Sequence, residues 1–170
     1  MLTKNFYSYM RATMQNTYAS FTNVDGSTHS YNSSSLMNIN CLRPFVAMAS
    51  YAVSAAALGV TFGIGTTPPA ITDYCLENPI TSGLAVTSPS AVSSNKTDEY
   101  EEYTVTFGVT AANTVTITEI GLKCNVSYNN SADNMVAMVD RTVLDTPITI
   151  PAGQSKQITY TIRFNYGDAA

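Results

Sequence analysis

The hydrophobic and polar positions of the chain follow two different periods. Near the N-terminus, apolar side chains recur every three or four residues from Leu2 to Phe21, the spacing of one helical face. This spacing predicts a helix of about five turns. Farther along, apolar and polar residues alternate, most clearly from Ile158 to Tyr166. Alternation of this kind predicts strands with one face in a core and the other in solvent.

Several other segments also have the period of a strand. The strands predicted in this way span residues 58–64, 103–109, 115–126 and 135–144, and 147–150 leads into a turn. In the third of these, the apolar parity changes between Ile117 and Ile120. Such a change predicts a β-bulge around Thr118 and Glu119, because one extra residue lets the strand keep its apolar face inward.

The order of these segments indicates the fold class. Strands follow one another with turn residues and no helix between them, which is typical of an antiparallel β-sandwich of jelly-roll or immunoglobulin-like type. We expect a helical and extended N-terminal arm over residues 1–56 and the sandwich over 57–170. Residues 27–40 are expected to be extended or loop-like. Residues 82–98, rich in Ser, Thr, Ala and Pro, are expected to form a surface loop or a crossover between sheets.

The composition narrows the classes of function. Charged residues make up 12 % of the 170 residues, about half the usual share, so much of the polar surface must be hydroxyl and amide. The net charge of -4 supplies no basic patch for nucleic acid. With one histidine and three cysteines, the chain has little material for acid-base chemistry or a metal cluster. We therefore expect a non-enzymatic protein without a cofactor, and a subunit of an assembly.

The cysteines and the uncharged middle of the chain bear on its location. Cys41, Cys75 and Cys124 are odd in number and widely spaced, which favours buried thiols in a reducing cytoplasm. No apolar segment typical of a secretory signal follows Lys4. Residues 44–70 carry no charge, but their glycines and hydroxyls favour a buried strand or a subunit contact over a membrane span.

Two groups of residues are candidates for a site. The lone His29 lies among hydroxyl residues with no acid nearby, so an exposed loop position is favoured over a catalytic triad. The second group is the acidic cluster at residues 98–102, which could be the solvated start of a strand, a glycosidase pair or a Ca²⁺ site. Alternation favours the first, because it turns Glu99 and Glu101 one way and Glu102 the other. The weak Ca²⁺ candidates are Asp98, Glu99, Glu101 and Glu102, and the subunit contact candidates are Phe6, Met10, Met14, Phe45, Met48 and Tyr51.

Several phrases of the sequence resemble a known group of proteins. Gly59 to Pro69, followed by Asp73 to Ile80, resembles a recurrent phrase of tailed-bacteriophage structural proteins. Ile117 to Leu122 is similar to a strand of phage tail-fibre and virion accessory domains, and residues 141–153 and 158–162 are similar to the end of that domain type. The resemblance spans about residues 57–166.

The resemblance implies a structural role. The family's members are virion proteins, so we expect a non-enzymatic protein that self-associates, binds other virion proteins and is attached to a capsid or tail as a decoration, head-fibre or baseplate component. It would be made in the host cytoplasm and reside in the virion. The alternative is a lectin-like module that binds host glycan, with Ca²⁺ near Glu99 to Glu102. A hydrolase of capsule or cell wall is the weakest alternative.

Overall fold

The described part of the chain consists mainly of strands, with one helix near the N-terminus. A computed structural model describes residues 1–15, 18–32, 59–87, 89–126 and 135–166. Their elements are α1 (Lys4–Gln15), β1 (Tyr18–Thr22), β2 (Thr28–Asn32), β3 (Gly59–Gly63), β4 (Leu84–Thr87), β5 (Ser93–Lys96), β6 (Tyr100–Ala111), β7 (Val115–Val126), β8 (Met135–Ile150) and β9 (Ser155–Asn165).

The strands form two main antiparallel sheets and a hairpin. One sheet has the order β3-β7-β8. In the other, β6 is central: β4 and β5 pair with successive parts of one edge, and β9 pairs with the opposite edge over its whole length. Strands β1 and β2 form the separate hairpin.

The core lies between the two main sheets. Alternate residues of β6, including Val105, Phe107 and Val109, are fully buried, as are Ile117 and Leu122 of β7. The rings of Phe62 on β3 and Phe107 on β6 meet edge to face across the gap, with centroids 6.3 Å apart. These contacts confirm the predicted antiparallel, β-sandwich-like fold.

Two local predictions fared differently. The pairing of β7 with β8 shifts register between Ile117 and Glu119, where the irregularity was predicted, but the extra residues are in β8 and not in β7: between these pairs β7 has only Thr118, whereas β8 has residues 144–147. The predicted helix is correct only over Lys4–Gln15, because residues 18–22 form β1. Phe21 is fully buried from this strand. The position of Phe21 fits the apolar spacing of a helix and also that of a strand, so the pattern alone did not decide between the two.

The expected loop over residues 82–98 is also corrected, since it contains β4 and β5. Leu84 and Val86 are half-buried and alternate with exposed residues. Every residue of β5 is exposed, so this strand is held by its backbone pairing to β6 and has no hydrophobic period to detect.

The N-terminal residues belong to the same packed unit. Residues 1–3, here called the strap, run along the edge of β8 that faces away from β7. The Thr3 amide donates to the Val139 carbonyl at 3.0 Å, and the Arg141 amide donates to the Met1 carbonyl at 3.0 Å. Phe6 is buried and stacks on Phe164 of β9, with centroids 5.8 Å apart. The predicted extended part of the arm over residues 33–56 lies outside the described residues.

Candidate functional site

Among the described residues, a surface loop held by a partly buried ionic cluster is the most organised polar site. The loop, residues 64–80, follows β3 and lies against the outer face of the β3-β7-β8 sheet. Its Leu76 is buried, and a side chain added at Gly121 of β7 would meet Leu76 and Met138 at 3.0 Å. We call the four charged residues Asp73, Glu77, Glu119 and Arg141 the clamp, and residues 64–80 the clamp loop.

Glu119 sits at the centre of the clamp. The register shift between β7 and β8 precedes it, and its side chain has no solvent exposure. Its carboxylate accepts hydrogen bonds from the backbone amides of three loop residues, Gly65 at 3.1 Å, Glu77 at 3.2 Å and Asn78 at 2.8 Å. One buried carboxylate therefore fastens both ends of the loop.

The approach of the loop to Glu119 requires glycine. A Cβ atom at Gly65 would lie 2.6 Å from Oε1 of Glu119 and equally close to Glu77, and one at Gly63 would also collide with Glu119. Real Cβ atoms do not come this close to a neighbouring atom, so a larger residue at either position would push the carboxylate away from the loop amides.

Arg141 of β8 supplies the balancing charge. Its side chain is 4 % exposed. Nε donates to Glu119 at 2.9 Å, Nη1 to Asp73 at 2.7 Å and Nη2 to the Thr67 carbonyl at 3.1 Å. Burial by itself lowers the pKa of Arg141, but the hydrogen bonds to Asp73 and Glu119 outweigh it and the pKa is raised. The guanidinium stays charged and ties the loop to the sheet.

Glu77 closes the N-terminal half of the loop. Its carboxylate accepts a hydrogen bond from the Thr67 hydroxyl at 2.7 Å and from the amides of Thr67 and Thr66 at 2.8 and 2.9 Å. Nη2 of Arg141 lies 3.6 Å away. The Thr67 hydroxyl is the largest cause of the lowered pKa of Glu77, followed by the backbone amide of Thr67.

The hydrogen bonds of the clamp point inward, to the loop and to one another. Charged groups that bind a substrate would instead present donors or acceptors to a cleft. The arrangement can therefore fix the shape of the loop. The sequence contained a signal for the clamp, since Glu119 and Arg141 interrupt apolar strands, but alternation alone assigns such residues to solvent.

A second buried acid lies between the sheets. The Tyr160 hydroxyl of β9 donates to Asp140 of β8 at 2.7 Å, and the amino group of Met1 is 3.1 Å from the same carboxylate. Burial, followed by the charge of Asp140, raises the pKa of Tyr160 well above its ordinary value. This contact joins the two sheets on the side where the strap crosses.

The acidic cluster near the start of β6 is divided among different partners. Glu101 accepts hydrogen bonds from the hydroxyls of Tyr103 at 2.7 Å and Tyr166 at 3.3 Å. Glu102 binds two nitrogens of Arg163, at 3.0 and 2.8 Å. The Arg163 guanidinium also stacks 4.0 Å from the centre of the Tyr100 ring.

These contacts bear on the weak Ca²⁺ candidates. Asp98 and Glu99 are exposed in the turn before β6, whereas Glu101 and Glu102 each bind the partners described above. Within the described ranges, no three His, Cys, Asp or Glu side chains are grouped as metal ligands would be.

The outer face of the β6 sheet is lined with hydroxyl groups. Thr104 and Thr161 share a hydrogen bond across the two strands at 2.9 Å, and Thr106 and Thr159 share one at 3.2 Å. Thr110 and Ser155 continue the row. This face accounts for much of the polar surface that the low charge content required.

The remaining predicted residues fall in different places. His29 is exposed on β2, opposite Phe21. Cys75 is half-buried and Cys124 is buried, both as free thiols. Of the subunit contact candidates, Phe6 is used in the protein's own core and Met10 is 40 % exposed. Cys41, the Met14 side chain, Phe45, Met48 and Tyr51 lie outside the described residues.

Four of the sequence segments singled out above meet at the clamp, whereas residues 158–162 lie on β9. Gly59 to Pro69 supplies β3 and the start of the loop, Asp73 to Ile80 its remainder, and Ile117 to Leu122 carries Glu119, while Arg141 opens the fourth segment. No family model, curated protein or solved structure matches the chain. Among the described helices, none has the length and apolar content needed to cross a membrane.

Proposed function

We propose that the chain is a non-enzymatic structural subunit of a phage virion that self-associates and is attached to the capsid or tail. The observation that carries the proposal is the clamp. Its fully buried carboxylate and nearly buried guanidinium bind the backbone of a surface loop. Burying such groups costs several kcal/mol unless they are well paired, and here the pairing fixes the shape of a surface.

A fixed surface suits assembly. Ordering a loop when subunits meet opposes binding, and a loop that is already ordered avoids that cost. The hydroxyl-lined sheet face supports the same role, since it can approach another subunit without burying unpaired ions. The resemblance of the clamp segments to phage structural proteins supplies the virion context.

The first test measures association and location separately. Sedimentation velocity of the purified chain from 1 to 100 µM should show a concentration-dependent assembly, and mass spectrometry of purified particles from the source phage should detect the chain. A chain that is monomeric at every concentration and absent from particles would exclude the proposal. Enzymatic turnover is not required for either result.

A lectin-like module is the second candidate, favoured by one observation. Tyr166 is half exposed beside Glu101, and an exposed ring next to a fixed carboxylate is a common way to bind a sugar, with the ring against its C–H face. A glycan array with and without calcium would reveal binding, and Tyr166→Ala should abolish it. An array without hits under both conditions would remove this candidate.

A further inference from the structure

The edge strands of the two main sheets differ in how well other parts of the chain cover them. An open strand edge pairs readily with other chains, and proteins protect such edges by covering them, shortening them or placing proline in them. Along β3, the Ile80 amide donates to the Phe62 carbonyl at 2.8 Å, and Pro79 bridges to Gly63. The first half of β8 is covered by the strap, and its second half contains Pro147. These edges are protected.

The second sheet has one protected and one open edge. On one side of β6, β4 and β5 are only four residues long, and Pro89 lies between them. On the other side, β9 runs for 11 residues without Gly, Pro or a register shift. In the described part of the chain, β9 pairs with β6 and with no other strand. Among the described residues, the longest unbroken strand edge is thus one that no other strand covers.

The pairing shows which backbone groups face outward. Just beyond the two ends of the β6-β9 ladder, the Tyr166 amide donates to the Glu99 carbonyl and the Ala111 amide donates to the Gln154 carbonyl. In both hydrogen bonds an odd-numbered residue of the β6 segment is joined to an even-numbered residue of the β9 segment. The Ser90 amide donates to Thr106, which shows that even residues of β6 face the other way. Since the direction alternates along a strand, the odd residues of β9 direct their N–H and C=O groups away from β6.

From this edge we infer that β9 pairs antiparallel with β9 of a second copy, about a twofold axis close to Thr159. The inference rests on the proposed self-association and names its surface. A twofold contact is self-complementary by construction. With the axis at Thr159, even residues oppose even residues, so the buried side chains Ile158, Tyr160 and Ile162 stay on the core side of one continuous sheet.

The side chains at this edge favour a second copy in the antiparallel direction. Thr159 and Thr161 are uncharged and extend the hydroxyl row of β6 toward the partner. Arg163 is already paired with Glu102, and Lys156 lies at the other end of the strand. Antiparallel pairing brings the acidic end of one copy, which includes Glu99, toward the Lys156 end of the other. Parallel pairing would place the two acidic ends side by side.

The first experiment removes one outward N–H group without touching the β6 ladder. Thr159→Pro does this at an edge position, where proline is tolerated, and Thr159→Ala is the matched control that keeps the N–H. In sedimentation velocity, the Ala variant should associate as the parent does. The dissociation constant of the Pro variant should be at least roughly tenfold higher. Circular dichroism of dilute samples checks that both are folded.

A second variant covers the case in which Thr159→Pro does not fold. Thr161→Lys adds an edge charge on the exposed face, a device that natural edges use against pairing, and should weaken association in the same assay. Unchanged association of a folded Pro variant, or of the Lys variant, would overturn the β9 contact and leave the proposed function standing. A parent chain that is monomeric throughout would overturn the contact and the self-association together.

Cross-linking tests the twofold axis directly. Hydrogen-bonded antiparallel residues have Cα atoms about 5.5 Å apart, within the range that a disulfide spans. Oxidised Thr159→Cys should therefore give a disulfide dimer, while Thr106→Cys, on the same face but one strand inside the edge, should not. Equal yields from both variants would contradict the axis. Protection of the Thr159 amide from hydrogen exchange in dilute monomer would show that the chain covers its own edge and would also overturn the inference.

Discussion

Replacing Arg141 by methionine tests whether the clamp stabilises the fold. Methionine keeps most of the apolar stem and removes the guanidinium, so Glu119 is left fully buried without a cation and the Thr67 carbonyl loses its donor. Removing one partner of a buried ion pair costs about 3–5 kcal/mol. Glu119 retains three backbone donors, and we therefore expect a loss near the lower limit, about 3 kcal/mol.

Urea unfolding followed by circular dichroism measures this loss. With a slope of about 2 kcal/mol per molar urea, the transition midpoint should fall by about 1.5 M. Arg163→Met is the matched control, because the pair of Arg163 with Glu102 has a half-exposed guanidinium and such pairs contribute about 0–1 kcal/mol. If Arg141→Met lowers the midpoint no more than Arg163→Met, the clamp does not hold the loop as described.

Three further predictions concern the clamp and the core. Because the pKa of Glu77 is lowered, its contribution to stability is complete above its ordinary value of 4.5 and is lost as the pH falls through the lowered pKa; Thr67→Val should flatten this loss in acid unfolding curves, and an unchanged curve would contradict the assignment. Gly65→Ala should lower the free energy of unfolding by about 1–3 kcal/mol, checked by the same urea titration, whereas a parental midpoint would show that Glu119 can move aside. Burial raises the pKa of the Cys124 thiol far above its ordinary value, so peptide mass spectrometry should find Cys124 alkylated by iodoacetamide only in denaturant, and labelling in the native state would refute its burial.

The sequence predicted those strands whose apolar and polar residues follow one regular alternation. Strand β9 has an uninterrupted alternation, and the change of parity at Thr118 located the register shift between β7 and β8, although the extra residues are in β8. Strand β5 has no apolar residue facing the core, so no pattern could reveal it. The helix was extended too far because Phe21 fits the helical spacing but lies in β1 and is buried in the hydrophobic core, which depends on tertiary structure.

The clamp could not be predicted for a related reason. Alternation states which face of a strand a side chain occupies, but it does not state what covers that face. Glu119 lies on the face away from the core, and residues 64–80 fold back over it, so its side chain is fully buried. The contact between Glu119 and Arg141 depends on the pairing of β7 with β8, which the sequence pattern does not specify.

The low charge content and the buried clamp have a joint consequence for assembly. The chain has few charges, and Glu119 and Arg141 are among those removed from the surface, so the exterior carries fewer charged groups than the composition suggests, at the same net charge of -4. A surface with few charged groups offers few charge pairs that could select a partner, and specificity must then come from shape and backbone pairing. The fixed clamp loop supplies shape, and the open edge of β9 supplies backbone groups that only a strand in the correct register can satisfy.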